Sequence, residues 1–153
     1  DYATGVETGL DSNGRKNRGG HLMENVVEDY IKKAGFIKDE NYFKEMYIHQ
    51  ITEKWDIDLS AISNTGKTEK RFDYVIKTDN QIYVIETNCY TSGGSKLNET
   101  ARSYKQISQE VDTIDGVTFV LRMGPDGQAQ DIILKKHLTS CHTYIILTIW
   151  KME

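Results

Sequence analysis

At 153 residues, 38% of them apolar and only one a proline, the chain is large enough for a single filled core and too apolar for a disordered tract. No apolar run approaches the ~20 residues that span a bilayer. The net charge of −4 excludes a strongly basic nucleic-acid binder but leaves room for a local basic patch. Two cysteines, Cys89 and Cys141, make no disulfide framework, and nothing reads as a signal peptide, so a cytoplasmic setting is expected.

Residues 1–20 are polar and hold five of the twelve glycines, as expected of a loop or arm. From Leu22 the apolar residues Met23, Val26, Val27, Tyr30, Ile31 and Ala34 follow helical spacing, and Gly35 supplies a stop. Met46 to Ile51 and Ile57 to Ile62 read as strands, the second because Ile57 and Leu59 alternate with polar neighbours. A hairpin follows, with arms at 70–76 and 81–88 rich in β-branched and aromatic residues and with Asp79-Asn80 suited to a two-residue turn. Ser95 is a reasonable N-cap for a second helix carrying Leu97, Ala101, Tyr104, Ile107 or Ser108, and Val111 on one side. Val117 to Leu121 reads as a further strand. This order predicts an α/β fold with a mixed sheet and helices packed against it.

The hairpin carries the chemistry. A two-residue turn places Asp73 directly opposite Glu86, and alternation puts Asn88 on the same side. Facing carboxylates repel, and a divalent cation is the best reason to hold two together. Mg²⁺ is the fitting ion, since it binds through one or two carboxylates and keeps positions for water and a phosphate oxygen. Acids on a solvated strand face are the ordinary alternative, but Val75, Val84 and Ile85 place this hairpin at the sheet centre. Asp56 and Asp58 flank Ile57 as ordinary solvated acids, and the four histidines show no metal-ligand spacing with the cysteines.

An Asp on one strand and Glu-x-Asn on the next resembles the PD-(D/E)xK nuclease fold. The runs Arg15-Lys16-Asn17-Arg18-Gly19-Gly20, Arg71-Phe72-Asp73, Glu86-Thr87-Asn88 and Gly93-Gly94-Ser95-Lys96-Leu97-Asn98-Glu99-Thr100-Ala101-Arg102-Ser103-Tyr104 together resemble the DpnII/MboI family over roughly residues 9–120. Those proteins are Type II restriction endonucleases that cut double-stranded DNA at GATC. The resemblance implies a restriction-endonuclease-like mixed central sheet flanked by helices. It makes Asp73 and Glu86 the Mg²⁺ ligands and puts Asn88 where the family pattern has Lys. Asn carries no charge, so it can orient water but supplies no positive charge to a transition state. Lys96, at a helix start that also favours phosphate, is the candidate for that role, against the reading of a solvated loop lysine. Arg15, Lys16, Asn17 and Arg18 are candidate DNA contacts, by phosphate or groove, against a plain surface loop. Glu24 and Glu28 lie one helical turn apart. One of them is a candidate to support the metal site from behind, though a solvated helix face is favoured for both. The family's enzymes commonly act as homodimers on palindromic sites. Its members are longer at the N-terminus, so a C-terminal catalytic portion is expected here.

The resemblance stops near Val120, dividing the chain into a nuclease-like core over 1–120 and a divergent tail over 121–153. The tail holds the single proline, Cys141 and the apolar run from Tyr144 to Trp150, which in a strand would invite aggregation. Back-translated with permitted codons and read two bases later, Arg122 to Gln130 can give Asp-Gly-x-Gly-Trp-x-Ser-Ala-Arg. The stretch from Leu134 can give an ending that closes on Asn-Asp-Met-Glu, close to the family's own. The catalytic residues would survive such a shift, while the packing behind them and a dimer interface would not. A catalytically inactive DNA-binding remnant is therefore the rival reading. A ligand- or protein-binding domain unrelated to DNA would make the whole motif set coincidental. A reading-frame shift near Leu121 is the expectation, and nucleotide sequencing checks it: if the shifted frame does not encode that ending, the idea is wrong.

Overall fold

The computed structural model describes residues 23–63, 68–89 and 95–124. Helix α1 spans 23–33, followed by β1 (Tyr42–Tyr47), α2 (Ile48–Trp55), β2 (Arg71–Lys77), β3 (Ile82–Cys89), α3 (Ser95–Val111) and β4 (Val117–Gly124). The four strands lie in the order β1-β2-β3-β4, the first three antiparallel and β4 parallel to β3, with α3 as the crossover. This is the mixed sheet with flanking helices that the sequence predicts. Among the described residues no helix is long and apolar enough to cross a membrane.

Both sheet faces are covered. Val27 and Ile31 of α1 pack on Tyr42, Tyr74, Ile76, Tyr83, Ile85 and Val120. On the other face Ile107 and Val111 of α3, with Ile51 of α2, pack on Val75, Ile82, Val84, Phe119 and Leu121. A strand buried on both sides needs apolar residues at successive positions, which accounts for the unbroken runs Tyr74-Val75-Ile76 and Ile82 to Ile85. The hairpin register is the predicted one: Lys77↔Ile82, Ile76↔Tyr83, Val75↔Val84 and Tyr74↔Ile85 are paired around the Asp79-Asn80 tip.

Helix α1 ends as predicted. Gly35 takes φ 92°, its N–H donates to Lys32 O (2.9 Å), and the Phe36 N–H donates to Ile31 O (3.3 Å). This pair of bonds is a Schellman closure, and a side chain at Gly35 would have to adopt the left-handed region.

Two predicted strands are corrected. Residues 46–51 do not form one strand: β1 stops at Tyr47, and Ile48 opens α2. A short apolar run does not by itself distinguish strand from helix, and Ile48, Ile51 and Trp55 fit a helix face that buries Ile51 completely. Residues 57–62 form turns rather than a strand, because the Asp58 carboxylate takes the Ser60 N–H (2.9 Å) and the Ile62 N–H bonds back to Leu59 O (3.0 Å). Leu59 and Ile62 are buried without a ladder.

The solvated helix face expected of Glu24 and Glu28 is also corrected. Glu28 is buried on the α1 side of the sheet, where it accepts from the Tyr42 hydroxyl (2.9 Å) and the Lys44 ammonium (2.6 Å). Glu24 is half-buried, and its backbone carbonyl accepts from the Tyr74 hydroxyl (2.9 Å). Burial pushes the Glu28 carboxyl up, but the bonds from Lys44 and Tyr42 outweigh it and hold the carboxyl below its ordinary value. A depressed folded pKa stabilises above the unfolded value, about 4.3, and the contribution disappears as pH falls through the folded one. Glu28→Gln should cost about 2–3 kcal/mol at pH 7, the scale of charged hydrogen bonds. In urea unfolding the gap from the parent should close towards pH 3, and a gap independent of pH would show that the charge plays no part.

Candidate active site

The site is built where the regular ladder fails. Strands β1 and β2 pair from Tyr42↔Ile76 to Lys44↔Tyr74, skip Glu45 and Asp73, and resume at Met46↔Phe72 and Tyr47↔Arg71. Glu45 has φ 53°, a left-handed conformation rare for a residue with a Cβ. Across this break the two strands exchange sides. Tyr42, Tyr74 and Ile76 face α1, whereas Met46 and Phe72, which alternation would place with them, belong to the α3-side core.

β2 also parts from β3 here, since their pairing ends at Tyr74↔Ile85. In a continued ladder the Thr87 N–H would meet the backbone of Phe72. It donates instead to Asp73 Oδ2 (2.7 Å), which also accepts from the Thr87 hydroxyl (2.9 Å). The Asp73 side chain thus replaces a lost backbone partner, which fixes the carboxylate at the mouth of the fork.

Glu86 stands next to it on β3, with the parity of Ile82 and Val84, and therefore faces α3. It is 7% exposed. Burial pushes its carboxyl up to about 7, and the neighbouring Asp73 carboxylate adds to the rise, while Lys70 and Arg71 oppose it. The Lys70 ammonium contacts Glu86 Oε1 directly and lies 5.3 Å from the Phe72 ring centroid. Arg71 pairs with Glu45 Oε1 (3.2 Å) across the same break. Asn88, two residues on, donates its Nδ2 to the Tyr104 hydroxyl of α3 (2.8 Å), which anchors the amide to the crossover helix.

The structure therefore brings Asp73, Glu86 and Asn88 to one end of the hairpin. Lys96 falls on the second residue of α3, its side chain outside the described residues. Arg15, Lys16, Asn17 and Arg18 lie outside the described residues, as does the tail beyond 124. Glu28 sits on the opposite side of the sheet from Glu86, committed to Tyr42 and Lys44. Lys70 is the residue that sequence reasoning missed. In an unbroken strand it would share parity with Tyr74 and face α1, so only the exchange of sides at Asp73 delivers it to Glu86. The sequence signal available was indirect, an Asn where a motif lysine is expected.

Among the described residues no three His, Cys, Asp or Glu side chains cluster as a ready-made metal cage. A two-carboxylate set still suits Mg²⁺, which rarely uses an all-protein cage. A buried carboxyl pushed up to about 7, beside a second carboxylate, is one whose charged form a cation would favour.

An α/β mixed sheet with Asp73 on one central strand and Glu86-Thr87-Asn88 on the next is a restriction-endonuclease-like frame. The chain belongs to the DpnII restriction endonuclease family, whose model matches residues 1–151. It is 55% identical over 120 residues to the Type II restriction enzyme DpnII of Streptococcus pneumoniae, a match covering 78% of this chain and 42% of that protein. It is 40% identical over 145 residues to the Type II restriction enzyme MboI of Moraxella bovis, covering 95% and 46% respectively. With the Type II restriction enzyme LlaDCHI of Lactococcus lactis subsp. cremoris the identity is 38% over 123 residues, covering 78% and 39%. The chain spans less than half the length of these relatives.

Because the folded pKa of Glu86 lies above the unfolded one, ionising it opposes folding. This contribution makes the metal-free protein less stable as pH rises from about 4.3 to about 7. In carboxyl-carbon NMR, Glu86 should titrate near 7, move higher in Lys70→Met and move lower in Asp73→Asn. A midpoint at the ordinary glutamate value would contradict this electrostatic account.

Proposed function

We propose that this chain is the catalytic portion of a Mg²⁺-dependent Type II restriction endonuclease that hydrolyses phosphodiester bonds of double-stranded DNA at GATC. The observation that carries the reading is the fork at Asp73. There two strands of the central hairpin separate, and the Asp73 and Glu86 carboxylates stand beside each other with basic residues next to them. Family membership supports the substrate class, and GATC follows from the resemblance to the DpnII/MboI enzymes.

In this reading Asp73 and Glu86 hold the ion. Bound there, a divalent cation would polarise a phosphate oxygen and acidify an attacking water. Asp73 keeps its orientation through Thr87, which donates both its N–H and its hydroxyl to Oδ2. Asn88, whose Nδ2 donates to Tyr104, is the residue that orients water. Lys96 assists on phosphate from the start of α3, and Arg15, Lys16, Asn17 and Arg18 grip the DNA. Two copies act as a homodimer, matching the two-fold symmetry of the site. Placement in the cytoplasm accompanies the reading.

A second reading, a DNA-binding remnant without turnover, is favoured by the uncharged Asn88 at the motif's lysine position. The two readings separate in one experiment. A plasmid bearing GATC sites is incubated with the parent or Asp73→Ala, in Mg²⁺ or in EDTA. The nuclease reading expects discrete Mg²⁺-dependent fragments and a loss of about 100-fold or more in the variant. DNA retention at low salt with no cutting by the parent selects the remnant.

A further inference from the structure

We propose that Lys70 supplies the positive charge that Asn88 lacks, and that in the metal-free protein its ammonium holds the place on Glu86 that a divalent cation takes during turnover. The inference rests on the nuclease reading and names a residue outside the family motif for it.

Three observations converge on Lys70. Its ammonium touches Glu86 Oε1, and its side chain is 21% exposed, so it is held within the site rather than waving in solvent. Its backbone, and the residue before it, are anchored to the start of α2. Ile48 N–H at the start of α2 donates to Lys70 O (3.1 Å), and the preceding Glu69 carboxylate binds both the backbone N–H and the ring Nδ1 of His49, each at 2.7 Å. The exchange of sides at Asp73 places it on the α3 face, where alternation gives Glu86 and Asn88 the same direction. Arg71, the other nearby cation, is engaged with Glu45 across the break and is 44% exposed.

A lysine is a compact charge on a flexible four-carbon stem. Once a cation occupies Glu86, the Lys70 ammonium needs only rotamer changes to reach a phosphate oxygen at the same fork. In hydrolysis the water oxygen bonds to phosphorus and the bond from phosphorus to the leaving sugar oxygen breaks. That oxygen takes up a proton originating from water. Lys70 keeps its protons throughout and donates hydrogen bonds to a non-bridging oxygen, where charge builds.

The test compares the parent, Lys70→Met, Lys70→Arg and Lys96→Met, with Asp73→Ala as the control for the nuclease reading itself. Each is assayed for cleavage of a GATC plasmid in Mg²⁺, for binding of a GATC duplex in Ca²⁺, and for Mn²⁺ affinity by calorimetry at pH 8.5. The inference expects Lys70→Met to lose about 100-fold in cleavage while duplex binding stays within about threefold. Lys70→Arg should recover part of the loss, and Lys96→Met, which removes a separate phosphate contact, should leave Mn²⁺ affinity at the parent's value. Mn²⁺ should bind Lys70→Met more tightly than the parent, because a competitor for Glu86 has been removed. A Lys70→Met protein that cleaves like the parent, or binds Mn²⁺ no more tightly, overturns the inference and leaves the nuclease reading intact. A parent that binds Mn²⁺ but cleaves no better than Asp73→Ala defeats the nuclease reading. Lys70 then keeps or loses its claim as the cation's competitor on the Mn²⁺ affinities alone. A parent and variants that bind no Mn²⁺ defeat both.

Discussion

The hydrogen bond from the Thr87 backbone N–H to the Asp73 carboxylate is the constraint on which the rest of the site depends. Two antiparallel strands that separate in a protein interior leave backbone groups without partners, and each such group costs free energy comparable to a lost hydrogen bond. Asp73 meets that cost from a side chain, which lets β2 and β3 part without an unsatisfied amide. The same bond points a carboxylate into the gap. A hydrophobic residue at this position would satisfy the core and abandon the amide, and an extended ladder would close the gap altogether.

What the fork then assembles is an electrostatic conflict. Glu86 is buried beside a like charge, and burial in low dielectric disfavours its ionised form. Lys70 and Arg71 offset part of that penalty, but the carboxyl is still pushed up to about 7. A purely structural site would relieve the conflict by losing an acid, since breaking even in a buried ion pair is hard. Retaining both acids agrees with the divalent cation proposed for this site. On the other face Glu28 accepts from a tyrosine hydroxyl and an ammonium, and these bonds outweigh burial and hold its carboxyl low. Two buried glutamates, Glu28 on α1 and Glu86 on β3, thus have opposite electrostatic settings, one stabilised as an anion and one left in tension.

Much of the frame was legible from local signals. Asp79-Asn80 between two β-rich arms set the hairpin register correctly, because a two-residue turn leaves no freedom in which residues face each other. Gly35 marked the end of α1 because only a residue without Cβ enters the left-handed region cheaply. Ser95 and the spacing to Val111 marked α3. The readings that failed involved short segments in which two structures compete at similar free energy. Ile48 to Trp55 carried both strand-like and helix-like spacing, and burial of Ile51 decided it. At Ile57 to Ile62 a strand-like alternation yielded to the Asp58 side chain, which offered the backbone a nearer partner than any neighbouring strand.

By itself the sequence determined which elements carry the candidate site residues. Asp73, Glu86 and Asn88 are placed by a turn six residues from Asp73 and by strict alternation along β3, both local properties of the chain. Only the tertiary structure decided what those residues meet. The exchange of sides at Asp73 depends on the partner strand, where Glu45 adopts a left-handed backbone 28 positions away in the chain. That exchange turns Lys70 from the α1 face to Glu86, and the docking of α1 takes Glu28 out of water. No pattern within either segment encodes such outcomes, because alternation predicts side-chain direction only while the ladder stays regular.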